Sequence, residues 1–207
     1  LLLLVGLLAA DRARLLDEFS FRYVDEDQAL MWYAATEFRD GRLHEPHFFG
    51  QAYNTMLEAL LGVPLLELGL PPERALPLVT TLLGVAPFLL LAAVAWLLAG
   101  PLAACLTVAV PIVLPLEYAM ITSMPRGFVP GLFAASVGVC AGLLRRDAAG
   151  WLGFGLLAML GLSLNPNSVL LSAPVVVYLL LCHHRDEGFY LWAGLGVGIG
   201  LAVHLTC

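Results

Sequence analysis

The chain is built from long apolar runs set against one extended polar segment. Apolar residues fill 75–99, 102–119, 128–144, 151–164, 169–182 and 189–206, with breaks of Gly, Pro, Arg and His between them. A further apolar run, Leu1–Ala10, stands ahead of a polar segment that extends from Asp11 to about Glu73. Each long run has the composition of a membrane helix, although 151–164 and 169–182 are short of the roughly 20 residues a full span needs. Their boundaries are expected to reach into the flanking Gly, Ser and Asn. The run 102–119 is interrupted by Pro111 and Pro115.

Within the polar segment, Leu30, Tyr33, Ala34 and Phe38 recur at helical spacing and predict a short helix over 26–39. Asp25 and Gln28 have the N-cap and N3 spacing of a capping-box-like start, and Gly41 is a good C-terminal stop. Trp32 and Tyr33 suit the aromatic belt, so this helix is expected to lie along a membrane surface. Residues 11–21 read as an interfacial linker and 44–51 as a loop. A second short helix is expected over 52–61, broken by Gly62 and Pro64, and Pro71-Pro72-Glu73 fits the first turn of the next helix. The predicted fold is therefore all-α: a polytopic transmembrane helix bundle of about seven spans, the first one truncated. It forms a single domain over 1–207, with 11–73 as a large outer loop carrying two short surface helices.

Composition strengthens the membrane reading. Of 207 residues, 60% are hydrophobic and only 13% charged, against roughly 25% charged in a soluble domain. The net charge of -6 and the absence of a basic patch exclude nucleic acid as a partner. Cys105, Cys140, Cys182 and Cys207 sit in or at the ends of apolar runs, with no C-x-x-C pair, and read as small apolar fillers. Leu1–Ala10 is about half a span and the last run is still apolar at Cys207, so the chain is expected to be an N-terminal fragment of a longer protein. A signal peptide fits Leu1–Ala10 less well, because Asp11-Arg12-Ala13-Arg14 lacks a small-x-small cleavage pattern.

Loop charges set the orientation. Arg145-Arg146 and His183-His184-Arg185 occupy short loops, which the positive-inside rule places in the cytoplasm. Counting back through the spans puts 11–73, the 117–127 loop and Asn165-Pro166-Asn167 on the opposite, periplasmic face.

The chemistry available on that face starts with Asp25-Glu26-Asp27. Asp25 is open to two roles, helix N-cap and general base. Glu26 and Asp27 suit helix-dipole partners or metal contacts as well as a catalytic cluster. His44 and His47 flank Glu45-Pro46, but the proline and the short spacing disfavour a zinc helix, so no metal-ligand set is assigned. Gln51, Tyr53 and Glu58 have the polarity to bind ligand hydroxyls, or alternatively to pin the loop to the helix behind it, while His47, with His44, reads as a solvated loop residue or a substrate contact. Arg126, in Met124-Pro125-Arg126-Gly127, is placed either to clamp a phosphate or to snorkel to the interface. Glu117 is a weaker candidate for the same cavity, and Asn165 and Asn167 read as turn residues.

The order of one helix, an outer loop with an acidic pair near its start, and then closely spaced helices resembles the GT-C class of membrane glycosyltransferases. The bacterial branch includes protein O-mannosyltransferases and the aminoarabinose and galacturonosyl transferases of lipid A. The motif likeness is carried by Asp25-Glu26-Asp27-Gln28, by Pro46 to Tyr53 and by Leu57-Glu58-Ala59, a stretch of about 23–59; the remaining likeness is one of topology. The resemblance implies a polyprenyl-phosphate sugar donor, a lipid, glycan or protein acceptor, and inverting transfer at the periplasmic face of a bacterial inner membrane. It further implies Asp25 as general base. Some members of the class require a divalent cation such as Mg or Mn, for which neighbouring carboxylates are suitable oxygen donors. Two rival classes are a transporter or flippase, and a non-catalytic membrane subunit on the same scaffold. Transporters place ionisable groups near the bilayer midplane, whereas the apolar runs from 75 onward contain almost none.

Overall fold

A computed structural model describes residues 1–42, 47–48 and 51–206, with the backbone alone at 48, 51–54 and 171. The architecture is all-α, as expected. Ten α-helices are accompanied, among the described residues, by one antiparallel two-stranded hairpin. The expected single domain packs as two compact units, residues 1–129 and 130–207.

In the first unit, α1 (Leu2–Leu15) continues without a break into a π-helical turn, Leu16–Ser20. The interfacial linker expected from Asp11 onward is therefore helical. Arg12 is the reason: its side chain turns inward and is buried. Helix α2 (Glu26–Arg39) has the predicted bounds and starts at an Asp25 N-cap whose side chain accepts from the Gln28 amide at 2.9 Å. Gln28 does not complete the capping box, since both polar atoms of its buried side chain lack a hydrogen-bond partner. At the other end, Gly41 takes a left-handed φ of 68° and closes the helix.

The helix expected over 52–61 is corrected in both directions. Residues 51–55 form β2, which pairs with β1 (His47–Phe48). Helix α3 then runs from Leu57 to Glu67, straight through Gly62 and Pro64. Met31, Ala34 and Ala35 of α2, Met56 just ahead of α3, and Ala59 and Leu66 of α3 form one core with Ala75 and Leu76 of α4 (Pro72–Ala99). The alanines at four of these positions let the helix backbones approach closely.

Helix α4 begins with Pro72 in its first turn, where a missing N–H is harmless, and ends at Gly100. Its 28 residues correspond to about 42 Å. Pro111 stays inside α5 (Pro101–Val113), while Pro115 ends the run and separates it from α6 (Leu116–Ile121). Leu8 of α1, Ala92 of α4 and Ala104 and Val108 of α5 make a second core.

The second unit contains nearly all of α7 (Val129–Leu144), then α8 (Ala148–Leu164), α9 (Val169–Cys182) and α10 (Glu187–Thr206). Asp147 caps α8 by accepting from the Gly150 amide at 2.8 Å. Asn165 accepts from the Asn167 amide at 3.0 Å, which forms the expected turn. At the opposite end of α8, Trp151 stacks edge-on against both His183 and Phe189. The two basic loops thus share one end of this unit.

Helices α4 and α10 are long and apolar enough to cross a membrane, and α5, α7, α8 and part of α9 are shorter apolar helices. Only 28% and 17% of the most apolar windows of α4 and α10 are buried. Leu82, Leu97, Leu102 and Leu106 project outward from α4 and α5, as do Leu191 and Leu205 from α10.

Candidate active site at the Asp25–Arg126 pair

Asp25 and Arg126 are brought together by the first unit. One carboxylate oxygen of Asp25, Oδ1, is held by the Gln28 amide, and the other, Oδ2, receives the Arg126 guanidinium. Both side chains keep about a third of their surface open, 36% for Asp25 and 35% for Arg126. The pair is therefore accessible while its geometry is fixed from behind.

Three interactions from α1 and its π-turn position the stretch before Arg126. Arg12 donates to the Pro111 carbonyl and reaches Thr122 Oγ1 at 3.5 Å. Ser20 donates to Ser123 Oγ at 2.9 Å, with both serines buried. The Pro111 carbonyl is an orphan for a sequence reason: its normal helical donor would be the amide of residue 115, and Pro115 has none. Arg12 fills that vacancy and places a positive charge at the C-terminal end of α5, where the helix dipole favours it.

Glu58 lies behind the loop that carries Arg126. It is fully buried in α3 and its Oε2 accepts from Thr80 Oγ1 of α4 at 2.9 Å. The nearby backbone amides of Arg126, Gly127 and Val129 favour its ionised form, while its Oε1 has no hydrogen-bond partner. Gly127 adopts φ 76°, a left-handed conformation that lets neighbouring amides converge as an anion-binding nest. Burial pushes the Glu58 carboxyl up to about 7, while Thr80 and the amides oppose the rise. Of the two roles open to Glu58, this placement favours pinning the loop over touching a sugar.

The other expected site residues divide into three groups. Glu26 is exposed and Asp27 half-buried in the first turn of α2, beside the pair. His47 is half-buried on β1, with its backbone in register with Thr55. Gln51 and Tyr53 lie on β2, but their side chains, like the whole of His44, fall outside the described residues. Among the described residues no three His, Cys, Asp or Glu side chains gather to hold a metal ion.

Sequence reasoning did not identify Arg12, Ser20, Thr80 or Ser123. The readable signal for Arg12 was Pro115, four residues after Pro111, which announces an unpaired carbonyl. The arrangement can bind an anion at Arg126 and accept a proton at Asp25. An all-α protein with two membrane-length apolar helices and a partly open polar site in its first unit is the class that the fold and site define. No family model, curated protein or solved structure matches the chain.

Proposed function

We propose that the chain belongs to a multi-pass membrane glycosyltransferase of GT-C type, working at the periplasmic face of a bacterial inner membrane. The observation that carries this reading is the Asp25–Arg126 contact, since the two residues expected to act on acceptor and donor meet at one partly open site. The outward-facing apolar surfaces of α4 and α10 support a lipid environment; on this reading the four shorter apolar helices and the truncated α1 are the further spans.

In the proposed reaction, the phosphate of a polyprenyl-phosphate sugar takes the guanidinium away from Asp25. The freed carboxylate then accepts the proton of the acceptor hydroxyl as that oxygen attacks the anomeric carbon. The bond from the anomeric carbon to the phosphate oxygen breaks, and the electron pair leaves with the phosphate, held by Arg126. Attack opposite the leaving group inverts the anomeric centre. Exchange of one anion for another at Arg126 thus couples donor arrival to release of the base. The test is transfer of radiolabelled sugar from a polyprenyl-phosphate donor in membranes holding the full-length protein. Loss of transfer in Asp25→Asn with normal insertion is expected; undiminished transfer overturns the assignment.

One observation favours a flippase as the second reading. The buried Arg12 beside the α5–α6 break resembles the ionisable group at a discontinuous helix that transporters use. Movement of a fluorescent polyprenyl phosphate across proteoliposomes that depends on Arg12, without any sugar transfer, would establish it.

A further inference from the structure

We infer that the polar end of α1 and its π-turn bind the headgroup of a phospholipid that carries a primary ammonium, with the acyl chains lying along exposed leucines of the same helix face. The inference starts from that face. Residues 3, 7, 11 and 14 fall within about 80° of one another on an α-helix. Leu3 and Leu7 are exposed, and Asp11 and Arg14, which follow them, line a half-open cavity of 430 Å³. Glu18 continues the face into the π-turn and lines the same cavity, since its Oε1 accepts from Arg14 Nε at 2.9 Å. Phe19 and Tyr23 add an aromatic wall, their rings stacked at 4.7 Å. Leu116, at the start of α6, is brought to the cavity from outside α1. One helix face therefore runs from apolar surface straight into a polar, aromatic-lined recess.

The charges select the occupant. Two carboxylates and one guanidinium line the cavity. Asp11 also lies 3.3 Å from Arg12 Nε, but the Arg12 side chain is buried away from the recess, so it balances charge without offering a donor there. The Asp11 and Glu18 side chains stay 44% and 59% exposed, and each keeps lone pairs for an N–H donor. Tyr23 turns one ring face to Phe19 and is exposed on the rest, which presents a π-face that attracts a cation. Arg14 uses its Nε for Glu18, and its terminal nitrogens can hold a phosphate. An anionic glycerol headgroup would set its charge against two carboxylates, and a choline headgroup has no N–H to give them. A phosphate followed by a primary ammonium matches both signs of charge and the aromatic wall. The leucine face leading into the recess commits the site to a lipid over free phosphoethanolamine. The inference rests on the membrane placement of α1 and not on sugar transfer.

Retained lipid provides the readout. The full-length protein is placed in nanodiscs holding equal amounts of dioleoyl phosphatidylethanolamine, phosphatidylcholine and phosphatidylglycerol, so that only the headgroups differ. The protein is then released into a mild detergent and its bound lipids are counted by native mass spectrometry. Wild type should retain the ethanolamine lipid about fivefold over each of the other two. Asp11→Asn combined with Glu18→Gln should bring that ratio close to one, and Tyr23→Leu should lower it about two- to threefold. These side chains are exposed or half-exposed, so the variants test binding without removing a core residue. Glu187→Gln, which removes an exposed carboxylate from the second unit, should leave the ratio unchanged. A wild-type ratio near one against either competing lipid, a preference for the glycerol lipid, or a wild-type ratio surviving in the double variant overturns the inference. So does an equal fall in Glu187→Gln, which would trace the effect to overall charge. No sugar donor enters the measurement, so failure of the transferase reading is separately visible in the transfer assay.

Discussion

Asp25 and Arg126 lie 101 positions apart, yet their side chains form one ion pair in which each Asp25 oxygen has a different partner. The cap and the base were competing roles for Asp25 in the sequence. In the structure Oδ1 serves the helix and Oδ2 faces Arg126, so one side chain can perform both.

That division separates the roles experimentally. Asn caps a helix about as well as Asp, whereas Ala at an N-cap costs about 1 kcal/mol. Asp25→Asn should therefore leave thermal stability in nanodiscs nearly unchanged while lowering sugar transfer by about 100- to 10,000-fold, the range for loss of a general base. Asp25→Ala should lose both. Equal transfer in wild type and Asp25→Asn would leave the cap as the only role. Arg126→Gln should raise the apparent donor KM more than it lowers kcat; the reverse pattern sinks the phosphate contact.

The legible parts of this fold are those with local causes. Helix α2 could be bounded from sequence because Asp25, Gln28 and Gly41 are start and stop signals that act within a few residues. The α4 boundaries followed from Pro72 and Gly100-Pro101 in the same way. Asp11–Arg14 read as a surface linker because two arginines and an aspartate are polar by composition. What makes them helical is a carbonyl 99 positions beyond Arg12, which no local window contains. Pro64 misled for a related reason: α3 retains it within a helix buried against α2 and α4, so tertiary packing outweighs one lost backbone bond. The site was half legible. Asp25 and Arg126 were both chosen on chemistry, but their contact and the burial of Glu58 are products of the α2–α3–α4 packing.

Glu58 should make stability depend on pH in a defined direction. Its folded-state carboxyl is raised from 4.5 to about 7, so between these values the folded protein binds a proton that the unfolded chain releases. Stability is then greatest at the acid side and falls as pH rises from about 5 to about 7, after which the contribution is constant. The shift corresponds to roughly 3 kcal/mol between the two limits. Thermal unfolding in nanodiscs should show wild type losing stability over this window relative to Glu58→Gln. A difference between the two proteins that stays constant with pH would contradict the assignment.

Arg12 and Pro115 should be coupled. Replacing Arg12 by Gln removes the guanidinium that satisfies the Pro111 carbonyl, an expected loss of about 1–3 kcal/mol. Pro115→Ala restores a backbone amide at the position from which that carbonyl is normally served. In a double-mutant cycle the loss from Arg12→Gln should therefore shrink by about 1 kcal/mol when residue 115 is Ala. Additive effects would mean that Arg12 acts through Thr122 or Asp11 and not through the orphaned carbonyl.

Gly196 and Gly198 are neighbours on α10 with opposite surroundings, and they test how α8 and α10 are held together. A Cβ at Gly196 would run into the Leu152 carbonyl and come within 2.7 Å of the Leu156 amide nitrogen, whereas a Cβ at Gly198 meets nothing within 4 Å. Gly155 of α8 is similarly closed off by the Ala193 backbone, so the contact is backbone against backbone from both sides. Small residues at such a crossing allow the dispersion contacts that bind helices where lipid removes any hydrophobic driving force. Gly196→Val must push the helices apart, since backbone atoms cannot rotate away as a side chain would. The expected loss is about 1–3 kcal/mol, or a fall of about 5 °C in Tm for a chain of this size. Gly198→Ala should leave Tm unchanged or slightly raised, because Ala is the better helix former by up to about 1 kcal/mol. The pair of variants differs in packing but shares a helix, a depth and a change in side-chain volume of similar sign. A fall in Tm for both would trace the effect to α10 itself, and a fall confined to Gly196→Val assigns it to the crossing with α8.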